Sequence, residues 1–287
     1  MIRETVSKFS RSFRYSLGRK EVIDVFLLKA KKLKNGYNQI IFEAKRSENT
    51  MMNFGILQLE KGQKYANFDN EERAFLLLKG QINLLFDNEE RVVKRDSYFD
   101  ETPVCLHVSK NTNVKIIAKT DSEIVLISTE NERFFPPELY DNVENEYRGK
   151  GTMQETATRI VRTIFDKNKS PKSNMVLGEV VNYPGKWSSY PPHHHPQPEI
   201  YHYRFFPMQG FGLALLGDKA IKVENGDTVK ILNNVIHPQV AAPGYAMYYI
   251  WVIRHLEGNP YTEPFFVTEH KWVMEKEALI WPERRDI

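Results

Sequence analysis

The histidines of this 287-residue chain are unevenly spread: five of the eight, His193, His194, His195, His202 and His237, fall within 45 residues, and His107 is alone in the first half. In PPHHHPQPEIYHY (191–203), His193 and His195 stand at i and i+2 and so project to one side of an extended segment. Glu199 follows four residues after His195 and returns to that side once the Pro-rich loop regains the strand. His237 comes from a separate context, ENGDTVKILNNVIH (224–237), in which a Gly-Asp turn, a strand and an Asn-Asn turn precede the histidine. Three imidazoles and one carboxylate form a mixed nitrogen–oxygen set suited to Mn, Fe, Ni, Co or Zn. Such a set leaves one or two positions of an octahedral ion open to substrate oxygens, as in a Lewis-acid catalyst. The expectation is one divalent metal ion per chain, held by His193, His195, Glu199 and His237. His194 points the other way and is given no role. The competing reading is a surface histidine run with an unrelated His237.

The elements that must position these groups read as strands. Short apolar runs, many with period-two alternation, are separated by Gly, Asn or Asp: Phe54–Leu59, Ala74–Phe86, Val114–Ala118 and Glu123–Ser128, then Met175–Asn182, Glu199–Phe206, Phe211–Leu216, Lys219–Val223, Thr228–Leu232 and Tyr245–Arg254. Many short strands at close spacing point to an all-β sandwich or barrel. With Glu199 inward, parity sets Tyr201 and Tyr203 inward and Ile200, His202 and Arg204 outward. One helical pattern interrupts the strands: in ETATRIVRTIFD, Ile160, Val161, Ile164 and Phe165 share a helix face starting near Glu155. A chain of this length suggests two domains. The expected division is an N-terminal unit over 1–135, a linker and helix over 136–165, and a metal-binding unit with its tail over 166–287.

Composition narrows the function classes. Hydrophobic residues are 41% and charged residues 27% of the chain, with a net charge of +3, all ordinary for a globular protein. Residues 1–34 carry ten Lys or Arg against three acids. Those charges are interleaved with apolar residues such as Val25, Phe26, Leu27 and Leu28, and no nucleic-acid module accompanies them, so a solvated face is expected rather than a nucleic-acid arm. No apolar run reaches the ~18–20 residues that cross a bilayer. No signal-peptide core opens the sequence, so a cytoplasmic protein is expected. Cys105 is the only cysteine, which rules out an intrachain disulfide, and it reads as a small core residue. The only dinucleotide-like run, GKG at 149–151, lacks a third glycine, so no nucleotide cofactor is expected.

The spacing Gly185-x7-His193-x-His195-x3-Glu199, followed by Gly226-x5-Leu232-x-Asn234-x2-His237, resembles the two-part cupin signature. Leu232 and Asn234 replace its proline and glycine, and Phe206 stands where a glycine is usual. The resemblance implies two cupin (jelly-roll) barrels in one chain. A narrower one rests on GKWSSYPPHHH (185–195), EIYHYRF (199–205), HPQVAAPGYAMYYIWV (237–252), and more weakly on YRGKGT (147–152), EHKW (269–272) and FDETPVCLHVSKNT (99–112). These segments resemble the 5-deoxy-glucuronate isomerase family of myo-inositol catabolism, which is related to 5-keto-4-deoxyuronate isomerase of pectin breakdown. The loop between His195 and Glu199 is shorter than in that family, and Arg254-His255 stands where small residues are usual.

What the resemblance implies is an aldose–ketose isomerisation of 5-deoxy-D-glucuronate to 2-deoxy-5-keto-D-gluconate. Moving a proton alpha to a carbonyl calls for a cation on the enediolate oxygens and for a general base. Tyr201, Tyr203 and Tyr249 are candidates for the base, as are Glu199 and a metal-bound water, and each tyrosine equally suits a packing role. Lys186 and Arg254 are candidates for the substrate carboxylate. Isomerisation of a pectin-derived deoxy-uronate, a cupin oxygenase and a non-catalytic sugar-acid binder are the other readings.

The first half is expected to be a metal-free barrel that covers the active one or builds a homo-oligomer interface. Gly62 to Gly80 has the spread of a cupin motif, but QKYANFDNEER (63–73) holds no histidine. Asn113 or Val114 occupies the final histidine position, His107 is read as isolated, and Asp69, Glu71 and Glu72 as solvent-facing carboxylates.

Overall fold

A computed structural model describes residues 26–282. The basic positions before residue 26 lie outside the described residues. The regular structure of the chain is almost wholly antiparallel strand, and the helical segments described are two short 3-10 turns, Met153–Glu155 and Thr268–Met274. No helix among the described residues is long and apolar enough to cross a membrane.

In the first half, one sheet runs in the order Glu138–Tyr140, Val104–Val108, Glu72–Phe86, Ser122–Thr129, Asn53–Leu59, Gly36–Phe42. The 15-residue strand Glu72–Phe86 belongs to two layers. Its first part pairs with Val104–Val108 and Ser122–Thr129, and beyond Gly80 it pairs with Glu89–Arg95 and Val114–Ala118. The chain passes from one layer to the other at Gly80, where φ is +112° and a Cβ would lie 2.7 Å from the Asp121 carbonyl oxygen, so glycine is required. Leu57, Phe75, Leu84, Leu106 and Ile116 fill the interior.

The second half repeats the plan. A seven-stranded sheet runs Leu27–Leu28, Thr228–Ile231, Glu199–Phe206, Ala246–Arg254, Met175–Asn182, Arg159–Phe165, Glu146–Arg148. A four-stranded sheet, Trp187–Ser188, Gln239–Ala241, Phe211–Leu216, Lys219–Glu224, closes over its inner face. The all-β, double jelly-roll expectation holds. Parity holds too: Tyr201, Tyr203 and Phe205 enter the interior of the second half, Ile200 leaves on the other face, and the His202 ring lies 5.3 Å from that of Phe54 in the first half.

That other face is buried as well. Met52, Phe54, Ile56, Leu76 and Ile127 of the first half share one apolar core with Ile164, Leu177, Ile200, Ile250 and Val252 of the second. Cys105 lies in this shared core, fully buried. Charges cross the same seam in pairs: Arg95 on Glu179, Lys230 on Glu43, and Arg204 on Glu123, with Arg162 of the second half joining Glu179.

Three expectations are corrected here. Residues 136–165 hold no α-helix: Arg159–Phe165 is a strand, with a bulge between Thr163 and Phe165. Val161 faces the barrel interior while Ile160 and Ile164 face the seam, and the bulge turns Phe165 to the seam too, so two-sided burial and one extra residue imitate a helical period. His107 is not isolated. Its Nε2 is 2.8 Å from Glu72 Oε1, and its ring stacks on Phe165 at 4.1 Å and 7°. Glu71 and Glu72 do not face solvent. Glu71 accepts hydrogen bonds from Asn53 and Ser128, and Glu72 from Asn131, Ser173 and the Asn174 amide.

Candidate active site

Glu199 opens its strand on the inner face, and His237 follows the turn that ends the neighbouring strand Thr228–Ile231. Leu232 and Asn234 preserve that turn without the usual proline and glycine. Asn233 and Asn234 take φ values of +58° and +57°, a left-handed conformation that asparagine tolerates. The Asn234 side chain also bonds His194 Nδ1 at 2.7 Å, holding that ring away from its neighbours.

Glu199 Oε2 lies 3.3 Å from His195 Nε2 and 3.4 Å from His237 Nε2. Ligand atoms of His195, Glu199 and His237 all fall within 4.8 Å of one another. His193 stands beside this trio, its ring edge-on to His237 at 4.8 Å, and it lines the same cavity. Each histidine turns its Nδ1 to a backbone carbonyl: His195 to Gln197 at 2.9 Å, His237 to Val235 at 2.8 Å, and His193 to Pro191 at 3.2 Å. A carbonyl only accepts, so each Nδ1 carries the proton and each Nε2 keeps its lone pair. The backbone thereby fixes the tautomer and orientation a metal requires. Burial, reinforced by the neighbouring imidazoles, pushes His193 well below the usual histidine range. Burial lowers His237 as well, with Glu199 partly opposing it. Glu199 Oε2 and His237 Nε2 are buried with no hydrogen-bond partner. Lone pairs that face one another in a dry site are stabilised by a shared cation, and these residues fit a divalent metal.

A cavity of about 600 Å³ opens from this cluster across the inner face of the large sheet. Its wall includes Arg159, Val161, Val180, Tyr201, Tyr249 and Trp251. Two serines at the end of the strand Trp187–Ser188 fix the tyrosines: Ser188 Oγ is 2.6 Å from Tyr249 Oη, and Ser189 Oγ is 3.0 Å from Tyr201 Oη. Ser189 has φ +52°, a left-handed conformation uncommon for serine, here spent on aiming a hydroxyl.

Of the residues singled out in the sequence, the structure brings His193, His195, Glu199, His237, Tyr201 and Tyr249 together. Tyr203 lies deeper: its hydroxyl is buried without a partner and it is not part of the cavity wall. Lys186 is outside the wall. Arg254 is spent on the seam, its Nε on Thr129 Oγ1 at 2.6 Å and its Nη2 on the Glu130 carbonyl at 3.2 Å.

Sequence reasoning missed Arg159, Ser188, Ser189, Trp251 and Tyr261. Parity counted from Tyr249 would have found Trp251, and the helix reading hid Arg159. Tyr261 belongs to the tail, which returns over the site: Phe265–Phe266 pairs with His193–His194, and the Tyr261 ring lies 4.9 Å from that of His195.

Comparison with known proteins agrees with this fold. The 5-deoxy-glucuronate isomerase of Halalkalibacterium halodurans is 29% identical over 246 residues, covering 78% of this chain and 88% of that protein. That of Geobacillus kaustophilus is 30% identical over 244 residues, covering 77% and 85%. An IolB-like protein from Salmonella typhimurium LT2 superposes with a TM-score of 0.77 at 25% identity, over 87% of this chain and 99% of that one. Lactobacillus farciminis oxalate decarboxylase shares the fold alone, with a TM-score of 0.61 at 10% identity over 85% of this chain and 89% of that one. The KduI/IolB family model matches residues 26–273, nearly the whole described chain, and the chain belongs to that family.

Proposed function

We propose that this protein is a metal-dependent isomerase that converts 5-deoxy-D-glucuronate to 2-deoxy-5-keto-D-gluconate, the aldose–ketose step of inositol catabolism. The observation that carries the reading is the buried, unpartnered pair Glu199 Oε2 and His237 Nε2 at the end of a cavity walled by hydroxyl-bearing side chains. Relatives named 5-deoxy-glucuronate isomerase over most of the chain support the substrate.

His193, His195, Glu199 and His237 would hold the ion, which supplies Lewis acidity toward the substrate's carbonyl and adjacent hydroxyl oxygens. The chain's own groups handle protons. Burial, with the nearby Glu199 charge, pushes the Tyr201 phenol well above its usual range, and burial raises Tyr249. Both phenols therefore keep their protons at neutral pH and act as donors to substrate oxygens. Ser188 and Ser189 hydrogen-bond those hydroxyls and hold them in place. Trp251 and the returning tail residues Tyr261 and Phe266 line the cavity with aromatic surface, which limits water at the reacting carbons. The reaction is redox-neutral, so no nicotinamide or flavin is called for.

Incubating metal-loaded protein with 5-deoxy-D-glucuronate, 5-keto-4-deoxyuronate and other deoxy-uronates, and following carbonyl migration by NMR, tests the assignment. Migration in the first substrate without added nucleotide is expected. Oxygen consumption with cleavage products, or a requirement for NAD, would overturn it.

A further inference from the structure

One cation in the cavity is in salt-bridge contact with no carboxylate among the described residues; Glu146, held by Arg148, acts on it only at longer range. Arg159 opens the strand Arg159–Phe165 and shares its inner face with Val161 and Thr163, all three on the cavity wall. It is only 9% exposed. Its Nη1 donates to the Ala157 carbonyl at 2.7 Å, while Nε and Nη2 have no hydrogen-bond partner, and no carboxylate pairs with it, among the described residues. The other cations along the wall are engaged. Arg148 gives Nε and Nη2 to the two oxygens of Glu146, at 2.6 Å each, and the Lys167 ammonium donates to the Ser173 carbonyl at 3.1 Å. Three residues further along the same strand, on its seam face, Arg162 is neutralised by Glu179.

The contrast is informative because arginine stays charged when buried, and a buried charge without a partner is costly. Burial weakens the hold of Arg159 on its proton and the cross-strand neighbour Arg148 adds to the effect, with Tyr249 and Glu146 partly opposing it. Asp166, also on the wall, spends Oδ1 on the amides of Asn168 and Lys169 in its own turn. Arg159 also sits within electrostatic reach of His193 and Tyr249, the groups that face the reacting end of a bound molecule. A planar guanidinium with two free donor sites matches a carboxylate.

We infer that Arg159 anchors the carboxylate of the substrate, making the cavity selective for sugar acids over neutral sugars. The identity of that acid rests on the isomerase reading; the need for a negative charge does not. Arg159 touches substrate through its carboxylate only, so it sets affinity and specificity, while the reacting carbons lie toward the histidines.

Binding to the metal-loaded protein is measured by calorimetry with D-glucuronate and with its uncharged amide, D-glucuronamide. The native protein is expected to prefer the acid by about 10- to 100-fold, the range of a charge-assisted hydrogen-bonded pair. Arg159→Met should remove that preference while leaving amide affinity within about threefold. Arg159→Lys, which keeps the charge but not the fork, should fall between the two. Should Arg159→Met fail to fold, the loss of acid affinity in Arg159→Lys at constant amide affinity carries the test. An acid-over-amide preference unchanged in the variants, or equal losses for both compounds, overturns the inference. Absence of isomerase turnover together with an Arg159-dependent preference for the acid would sink the proposed reaction and leave the anchor standing.

Discussion

Arg95 of the first half and Glu179 of the second meet side by side in the seam between the barrels, with Arg95 Nη1 3.1 Å from Glu179 Oε2 and neither side chain reached by solvent. Arg162 closes on Glu179 Oε1 at 2.8 Å, and the Tyr248 hydroxyl donates to Oε2 at 2.7 Å. Every lone pair of the carboxylate is used, and it carries two guanidiniums. Glu179→Gln should therefore destabilise the protein by about 3–5 kcal/mol, because it leaves two buried guanidiniums with no carboxylate to neutralise them. A thermal melt measures this, and a change under about 1 kcal/mol would show that the seam opens to water.

Removing a ligand should empty the metal site without unfolding the barrel, whose apolar interior is separate. The double variant His193→Ala, His237→Ala is expected to purify folded, with metal content by elemental analysis falling from near one per chain toward zero. Retention of stoichiometric metal by that variant would place the ion elsewhere.

The tyrosines should separate by position. Tyr249→Phe removes a hydroxyl on the cavity wall and is expected to lower turnover by about 10²- to 10⁴-fold with metal content intact. Tyr203→Phe removes a hydroxyl that does not reach the cavity and should stay within a few-fold of native turnover. Equal effects of the two changes would count against a proton role for Tyr249.

Acid should loosen the tail. Burial lowers His255 to about 4, and its Nδ1 accepts the Tyr261 amide at 3.0 Å, a bond that only the neutral ring can accept. With the folded value depressed below the unfolded ~6.5, the unfolded chain binds more protons in that window. Stability is thus expected to fall as pH drops from about 6.5 toward 4. Buried His202, also held well below its usual range, acts in the same direction. Melts of the native protein and His255→Gln at pH 7.5 and pH 5 test this. The native protein should lose more, and parallel losses would argue that His255 is not involved.

Gly178 lies under the cavity wall, where a Cβ would come within 2.4 Å of the Trp251 ring and 2.8 Å of the Arg162 carbonyl oxygen. Gly178→Ala should push the indole into the cavity, costing about 1–3 kcal/mol of stability and weakening substrate binding. A variant with native melting temperature and native KM would show that the ring has room to move.

The histidine–glutamate cluster was legible because its signal is chemical and local: rare residue types, fixed spacing, and a strand parity that sets Glu199, Tyr201 and Tyr203 on one side. The second half of the turn pattern survived substitution because Asn234 can adopt the backbone a glycine would. What misled was a strand buried on both faces. Ile160, Val161, Ile164 and Phe165 copy a helix because a bulge breaks the two-residue alternation, although the β-branched residues of RIVRTIF favour a strand. The partners of His107 and the seam position of Arg254 depend on residues tens to more than a hundred positions away, such as Glu72 and Thr129, and no local pattern reports them. Lys186 and Arg254 were chosen for charge and nearness in sequence, whereas the free cation came from the strand mistaken for a helix.

Leu27–Leu28 pairs with Thr228–Val229 at the margin of the large sheet that carries Glu199, and Lys29 then clasps Glu224 and Asp227 at 2.8 Å each. The order of synthesis gives this pairing its consequence. The segment leaves the ribosome about two hundred residues before its partner strand exists, so the catalytic sheet can be sealed only after nearly the whole polypeptide has emerged. A fragment beginning at the expected boundary near 136 would carry every proposed metal ligand yet expose the backbone of Thr228–Val229 along an unprotected margin, an invitation to pair with other chains. The two barrels are thus interlaced in assembly, and the half without the histidine cluster supplies the strand that finishes the half that has it.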